Sequence, residues 1–149
     1  MAKRFEFKLE QVLRYTARMT EMKKIEFALA RREYLLSIQA KEEMERSRVI
    51  AVNDKRDMLK DSAPLDMLRV YEAYIARLKD DIIRQDGVIE EKAVLMEEKR
   101  HEYISWRKKR KSLEKLKERA LTQHDKEVTA EETKFNDEMG IIRHRRRER

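Results

Sequence analysis

The chain has 149 residues, 45% of them charged and only 7% aromatic, with two glycines, one proline and no cysteine. So much charge excludes a thick core, and so few turn formers leave room only for long helices. Lacking cysteine excludes disulfides and thiolate metal sites, and without an apolar run of about 18 residues or a signal-peptide-like start, a cytosolic protein with no membrane insertion is expected.

Residues 3 to 9, KRFEFKL, alternate apolar and polar through Phe5, Phe7 and Leu9. With no second strand to pair with, this stretch reads as an extended lead-in whose phenyl rings are free to dock. Helix 1 is expected from about residue 9 to 59, on apolar residues at helical spacing: Leu9, Val12, Met19, Met22, Ile25, Leu29 and Leu36. Met22, Leu29 and Leu36 are the expected seam on this helix. Beyond Leu36 the stripe thins, with Gln39, Glu43 and Ser47 falling where it should continue. Met44 and Met58 suit irregular gaps.

The turn is expected at 60 to 64, KDSAP, with Asp61 or Ser62 capping the next helix and Pro64 in its first turn. So short a loop makes the helices antiparallel. Folding there sets Leu36 near Ile89, Met22 near Tyr103 and Leu9 near Lys115.

Helix 2 is expected over about 65 to 139. Leu68, Ile75, Ile82, Ile89, Met96 and Tyr103 recur every seventh position, and Tyr71, Leu78, Trp106 and Leu113 fill the interleaved row. That repeat is the seam of a coiled coil, broken at Gln85, Lys92 and Lys99. At ~1.5 Å per residue such a helix would be on the order of 110 Å long. Gly87 makes a soft point, worth about 1 kcal/mol. Past residue 120 helix 1 has run out, so helix 2 overhangs it until Gly140 caps it in a left-handed conformation. A basic tail, 141–149, follows. The expected fold is therefore all-α: one elongated domain over 1–149, two long helices in an antiparallel coiled-coil hairpin with the second overhanging the first. Disorder is the alternative that such a charge content allows, and sustained heptads argue against it.

The formal charge of +7 is concentrated. Residues 105–119 hold eight Lys or Arg against two Glu, and 141–149 hold five Arg against one Glu, leaving the rest slightly acidic. An acidic partner is implied there. Arg107, Arg110, Lys111 and Lys115 offer a cationic stripe, although a solvated helix face is the plainer reading. No aromatic platform or basic-zipper layout supports specific nucleic-acid binding. Two glycines build no phosphate cradle, the three histidines lack paired second ligands, and the carboxylates lie amid Lys and Arg, so neither enzyme activity, cofactor nor metal is expected. Trp106 either packs against the Phe5–Leu13 region or anchors a partner.

Phe5, Phe7, Leu9, Val12, Leu13, Tyr15 and Arg18 form FxFxLxxVLxYxxR, which resembles the opening of the FliJ family of flagellar type III export proteins. The run from Trp106 to Arg119 is similar to that family's C-terminal half, and YscO-type injectisome proteins share the architecture. The resemblance implies a cytoplasmic coiled coil, monomeric when free. It would associate peripherally with the inner face of the membrane through the export apparatus and act like the central stalk of a rotary ATPase. The implied partners are the hexameric export ATPase and its regulator, the cytoplasmic domain of the export gate, and substrate chaperones. Matching positions for ATPase binding are Phe7, Leu9, Leu13, Trp106, Arg107, Arg110, Lys115 and Arg119. An injectisome stalk or a structural coiled-coil adaptor is the alternative.

Overall fold

The computed structural model describes residues 3–148. It is all-helical: α1 spans Glu10–Lys60 and α2 spans Leu65–Arg147, packed against each other as a hairpin. No helix among the described residues is long and apolar enough to cross a membrane. Contacts divide the chain into two units, a turn-containing unit, Met22–Tyr103, and a terminal unit, Met1–Glu21 with Ile104–Arg149.

The turn works differently from its sequence reading. Ser62 takes a left-handed φ of 56° and ends α1. The Ala63 amide then donates to the Met58 carbonyl (3.1 Å) and the Asp61 amide to Asp57 (3.2 Å), which satisfies carbonyls left open at the helix end. Pro64 supplies the start of α2, its carbonyl accepting from the amides of Met67 (3.1 Å) and Leu68 (3.3 Å). Ser62 therefore serves the helix before the turn instead of capping the one after it.

Within the turn-containing unit, α2 buries the seam its heptads predict. Leu78 and Ile82 are buried, and Leu68, Tyr71, Ile75, Ile89, Met96 and Tyr103 are half-buried. On α1 the expected seam is wrong. Met22, Leu29 and Leu36 are 53%, 56% and 52% exposed, while Ala30, Ser37 and Ala51 are buried and Lys23, Phe27, Tyr34, Lys41 and Met44 half-buried. Tyr103 accordingly stacks on Phe27, ring centroids 6.3 Å apart at 8°, and not on Met22.

The reason lies in the polar residues of α2. Gln85, Lys92 and Lys99 sit in the seam rows and need partners there. Gln85 donates to the Ser37 carbonyl (2.8 Å), Lys92 meets Glu33 (2.8 Å) and Lys99 meets Glu26 (3.4 Å). Glu26 and Glu33 are seven residues apart, as Lys92 and Lys99 are, so one rotation of α1 serves both. That rotation carries Met22, Leu29 and Leu36 to the outside. It also turns Lys23, Lys41 and Lys55 toward Glu102 (3.0 Å), Asp86 (2.6 Å) and Glu72 (3.1 Å). Small Ala30, Ser37 and Ala51 then face the bulky row of α2, and the Ser37 hydroxyl is satisfied by the Tyr34 carbonyl (2.6 Å).

Gly140 does not end α2. It has no positive φ, and α2 runs through it to Arg147. The apolar contact that often accompanies a left-handed cap is missing too, since Ile141 and Ile142 are exposed. His144, Arg145, Arg146 and Arg147 instead occupy the last turn, where cations favour the helix dipole. The tail expected at 141–149 is helical as far as 147.

Two substitutions test this packing. Ile82→Ala should cost about 2–5 kcal/mol in urea denaturation, whereas Leu29→Ser should stay within about 0.5 kcal/mol. Equal losses would mean that α1 turns its other face inward in solution. Ser62→Gly should raise stability by about 0.5–1 kcal/mol, because a left-handed conformation burdens any residue with a Cβ. A loss would show that the serine side chain, not its φ, holds the turn.

Candidate protein-binding site

The terminal unit begins with a non-helical segment, residues 3–7, held by aromatic contact. Phe5 packs on His124, ring centroids 5.5 Å apart, and the Phe7 carbonyl accepts from the Glu10 amide (3.1 Å) at the start of α1. Glu10 lies in the first turn, where an acid suits the positive end of the helix dipole. Its Oε2 is 2.8 Å from Lys117 Nζ, off the line of a straight hydrogen bond. Lys117, with Arg14 nearby, holds the Glu10 carboxyl below its usual range despite partial desolvation.

Further along, Thr16 and Thr20 are buried in the seam. Each hydroxyl donates back to its own helix, Thr16 to the Val12 carbonyl (2.8 Å) and Thr20 to the Thr16 carbonyl (2.7 Å), so neither is left unsatisfied. Trp106 meets Tyr15 edge-on at 6.0 Å and 76°. Lys109 Nζ lies 4.4 Å from the indole centroid. Trp106 thus packs on α1, as one reading of the sequence had it, but its aromatic partner is Tyr15.

The eight residues singled out for partner binding all fall in this unit and divide by face. Leu13 and Arg110 point toward the seam. Leu13 is half-buried, and Arg110 is engaged by Glu21 (3.5 Å) and Glu114 (3.0 Å). Phe7 and Trp106 are half-buried, and Leu9 is 41% exposed. Arg107, Lys115 and Arg119 are exposed and carry no ion pair among the described residues.

The cationic stripe is correspondingly displaced. Lys108, Lys111, Lys115 and Arg119 follow one another at steps of three, four and four, all exposed and none ion-paired among the described residues. That spacing aligns them along one helix face. Helical spacing and the family resemblance both select Arg110, but the heptad count puts it seven residues after Tyr103 and so in the seam row. His124 falls in the same row, seven residues after Lys117, whereas Tyr15, the aromatic partner of Trp106, is 52% exposed and outside the seam rows. Beyond Val128, residues 129–148 are exposed throughout.

Comparison with known proteins now adds an identity. The family model of the flagellar FliJ protein matches residues 5–149. The chain belongs to the flagellar FliJ family. Among solved structures, that of CT670 from Chlamydia trachomatis, classed as a YscO homolog, is similar with a TM-score of 0.55 and 21% identity. The match covers 95% of this chain and 96% of that one, and it establishes likeness of fold. No curated protein matches the chain. Membership agrees with the resemblance carried by the Phe5–Arg18 and Trp106–Arg119 segments.

The ion pairs make stability depend on pH at both ends. Lys117 lowers the Glu10 carboxyl, and Lys23 lowers that of Glu102, so both are depressed below 4.5. A depressed carboxyl stabilises the fold above its unfolded value and ceases to do so as pH falls through its folded value. Lys23, raised above 10.5 by Glu102 and then Glu26, and Lys41, raised by Asp86, do the converse at alkaline pH. Melting followed by circular dichroism at low salt should therefore be flat near neutrality and fall below about pH 4.5 and above about pH 10.5. Glu102→Gln should lower the neutral plateau and shallow the acid limb; an unchanged acid limb in that variant would remove this pair from the account.

Proposed function

We propose that this chain is a non-catalytic component of the flagellar type III export machinery. It binds the hexameric export ATPase through the terminal unit, in the manner of a central stalk. The observation that carries the reading is the ridge Lys108, Lys111, Lys115 and Arg119, four cations along one face with no ion pair among the described residues, in a chain of the flagellar FliJ family. Unpaired cations along a helix attract an acidic wall, and long-range steering makes such an encounter fast and sensitive to salt. Two packed helices, each about 10–12 Å across, are also narrow enough to enter the opening of a ring.

For this contact we propose Arg107, Lys115 and Arg119 together with Lys108 and Lys111, all of them exposed. Leu9 and the exposed part of Trp106 supply the apolar share, since aromatic and Arg side chains together make the energetic centre of many interfaces. Arg110 and Leu13 act instead by holding α1 and α2 in register. Contacts with the export gate and substrate chaperones belong to this reading as well. Localisation in the cytoplasm beside the membrane would follow from those contacts.

The test is hydrolysis by the cognate flagellar export ATPase, with its oligomeric state, in the presence of the full chain. The chain should promote ring assembly and raise turnover. Lys111→Glu with Lys115→Glu and Arg119→Glu should weaken half-maximal activation by on the order of tenfold, with the deficit shrinking as salt is added. Trp106→Ala should weaken it at every salt concentration. An ATPase that is competent but indifferent to the chain would overturn the proposal, and activation unaffected by the triple reversal would move the contact to another face.

A further inference from the structure

The face of α1 rejected by the hairpin is itself a heptad stripe. Met22, Ile25, Leu29 and Leu36 follow one another at three, four and seven residues, each more than half exposed. Isolated exposed apolar residues are ordinary, but a run at seam spacing along one helix makes a continuous patch. Leu35, 48% exposed, widens it. Beside it a groove of about 520 Å³ has an apolar floor that includes Ala28 and the stacked rings of Phe27 and Tyr103. Small Ala28 leaves space for a second backbone to come close.

The charges bordering this patch are of one sign. Lys24, Arg31 and Arg32 line the groove, and none makes an ion pair among the described residues. The nearby acids are already engaged, Glu26 by Lys23 of the same helix (3.3 Å) and by Lys99 across the hairpin (3.4 Å), and Glu33 by Lys92 across it (2.8 Å). The patch is therefore apolar along its middle and uncompensated positive along its edge.

We infer that the outer face of α1 between Met22 and Gln39 is a docking site for an amphipathic helix of another protein, one with apolar residues at seam spacing and acidic residues beside them. Period selects a helix: a stripe repeating every seven residues is matched by a second helix with the same repeat, whereas a membrane surface favours a broader apolar sector. Charge selects an acidic one. A second copy presenting this face would set Lys24, Arg31 and Arg32 against their own equivalents, and like charges across an interface oppose pairing. The site stands apart from the ATPase contact proposed above and does not depend on it.

The test uses the full chain and two synthetic helical peptides of three heptads, with Leu at a and d and either Glu or Lys at e and g. The Glu peptide should bind by calorimetry and should slow amide exchange within residues 22–39. The Lys peptide should not bind. Leu29→Glu should weaken the Glu peptide at least tenfold while helicity stays at the wild-type level. Leu36→Gln, a milder change, should weaken it several-fold and serves should Leu29→Glu lose helicity. Arg31→Glu with Arg32→Glu should reverse the preference between peptides. The inference is overturned if neither peptide binds or both bind equally. It is overturned equally if the chain self-associates in a manner abolished by Leu29→Glu, which would make a second copy the occupant, or if anionic phosphatidylserine vesicles and not the Glu peptide engage the patch.

Discussion

Polar groups in the α2 seam set the rotation of α1, and most of what the surface displays follows from that. A lysine or glutamine in a seam row loses water on pairing and must find an oxygen on the facing helix. Glu26, Glu33 and the Ser37 carbonyl provide those oxygens on one side of α1 only. Once that side faces inward, the neighbouring rows are committed too. Ala30, Ser37 and Ala51 become the buried seam residues of α1, with Phe27, Tyr34 and Met44 half-buried beside them, and Met22, Ile25, Leu29 and Leu36 face outward. Exposed ion pairs add little net stability, but they discriminate strongly between registers because the wrong one leaves desolvated charges unpaired.

This explains why one helix was legible in the sequence and the other was not. On α2, large apolar residues and the heptad coincide from Leu68 to Tyr103, so hydrophobicity alone marks the inward face. On α1 two heptad stripes run in parallel, and the more hydrophobic one, through Met22, Leu29 and Leu36, is the outer. A reading that ranks residues by apolarity chooses it. The discriminating signal is relational: Glu26 and Glu33 share the spacing of Lys92 and Lys99, and that becomes visible only when both helices are considered together. The turn shows a related ambiguity. KDSAP marks a reversal clearly, yet whether Ser62 ends one helix or begins the next depends on its φ, which composition does not reveal. At Gly140 a local rule yielded to a helix whose last turn is stabilised by its own cations.

The cationic region was legible in the sequence, whereas which of its side chains stand clear of ion pairs was not. A concentration of Lys and Arg between residues 105 and 119 announces a cationic region whatever the packing. Which of those side chains are ion-paired is decided by the same heptad that builds the hairpin, and it assigns Arg110 and Lys117 to internal pairs while leaving Lys108, Lys111, Lys115 and Arg119 exposed. One residue type thus occupies two environments on one helix, separated only by angle around its axis.

A seam built from threonine, serine and alanine on one side buries less apolar area than Leu against Leu would, so the free chain gains less from hydrophobic burial than its length suggests. Helices this charged depend on tertiary packing for their stability, and residues 129–148 have no packed neighbour. Any ligand that binds the folded form then stabilises it in proportion to the logarithm of its excess over Kd. A modest intrinsic stability and a surface that keeps its large apolar residues outside are two consequences of one choice of rotation. The chain forgoes self-sufficiency along α1 and retains an apolar stripe whose burial is left to association.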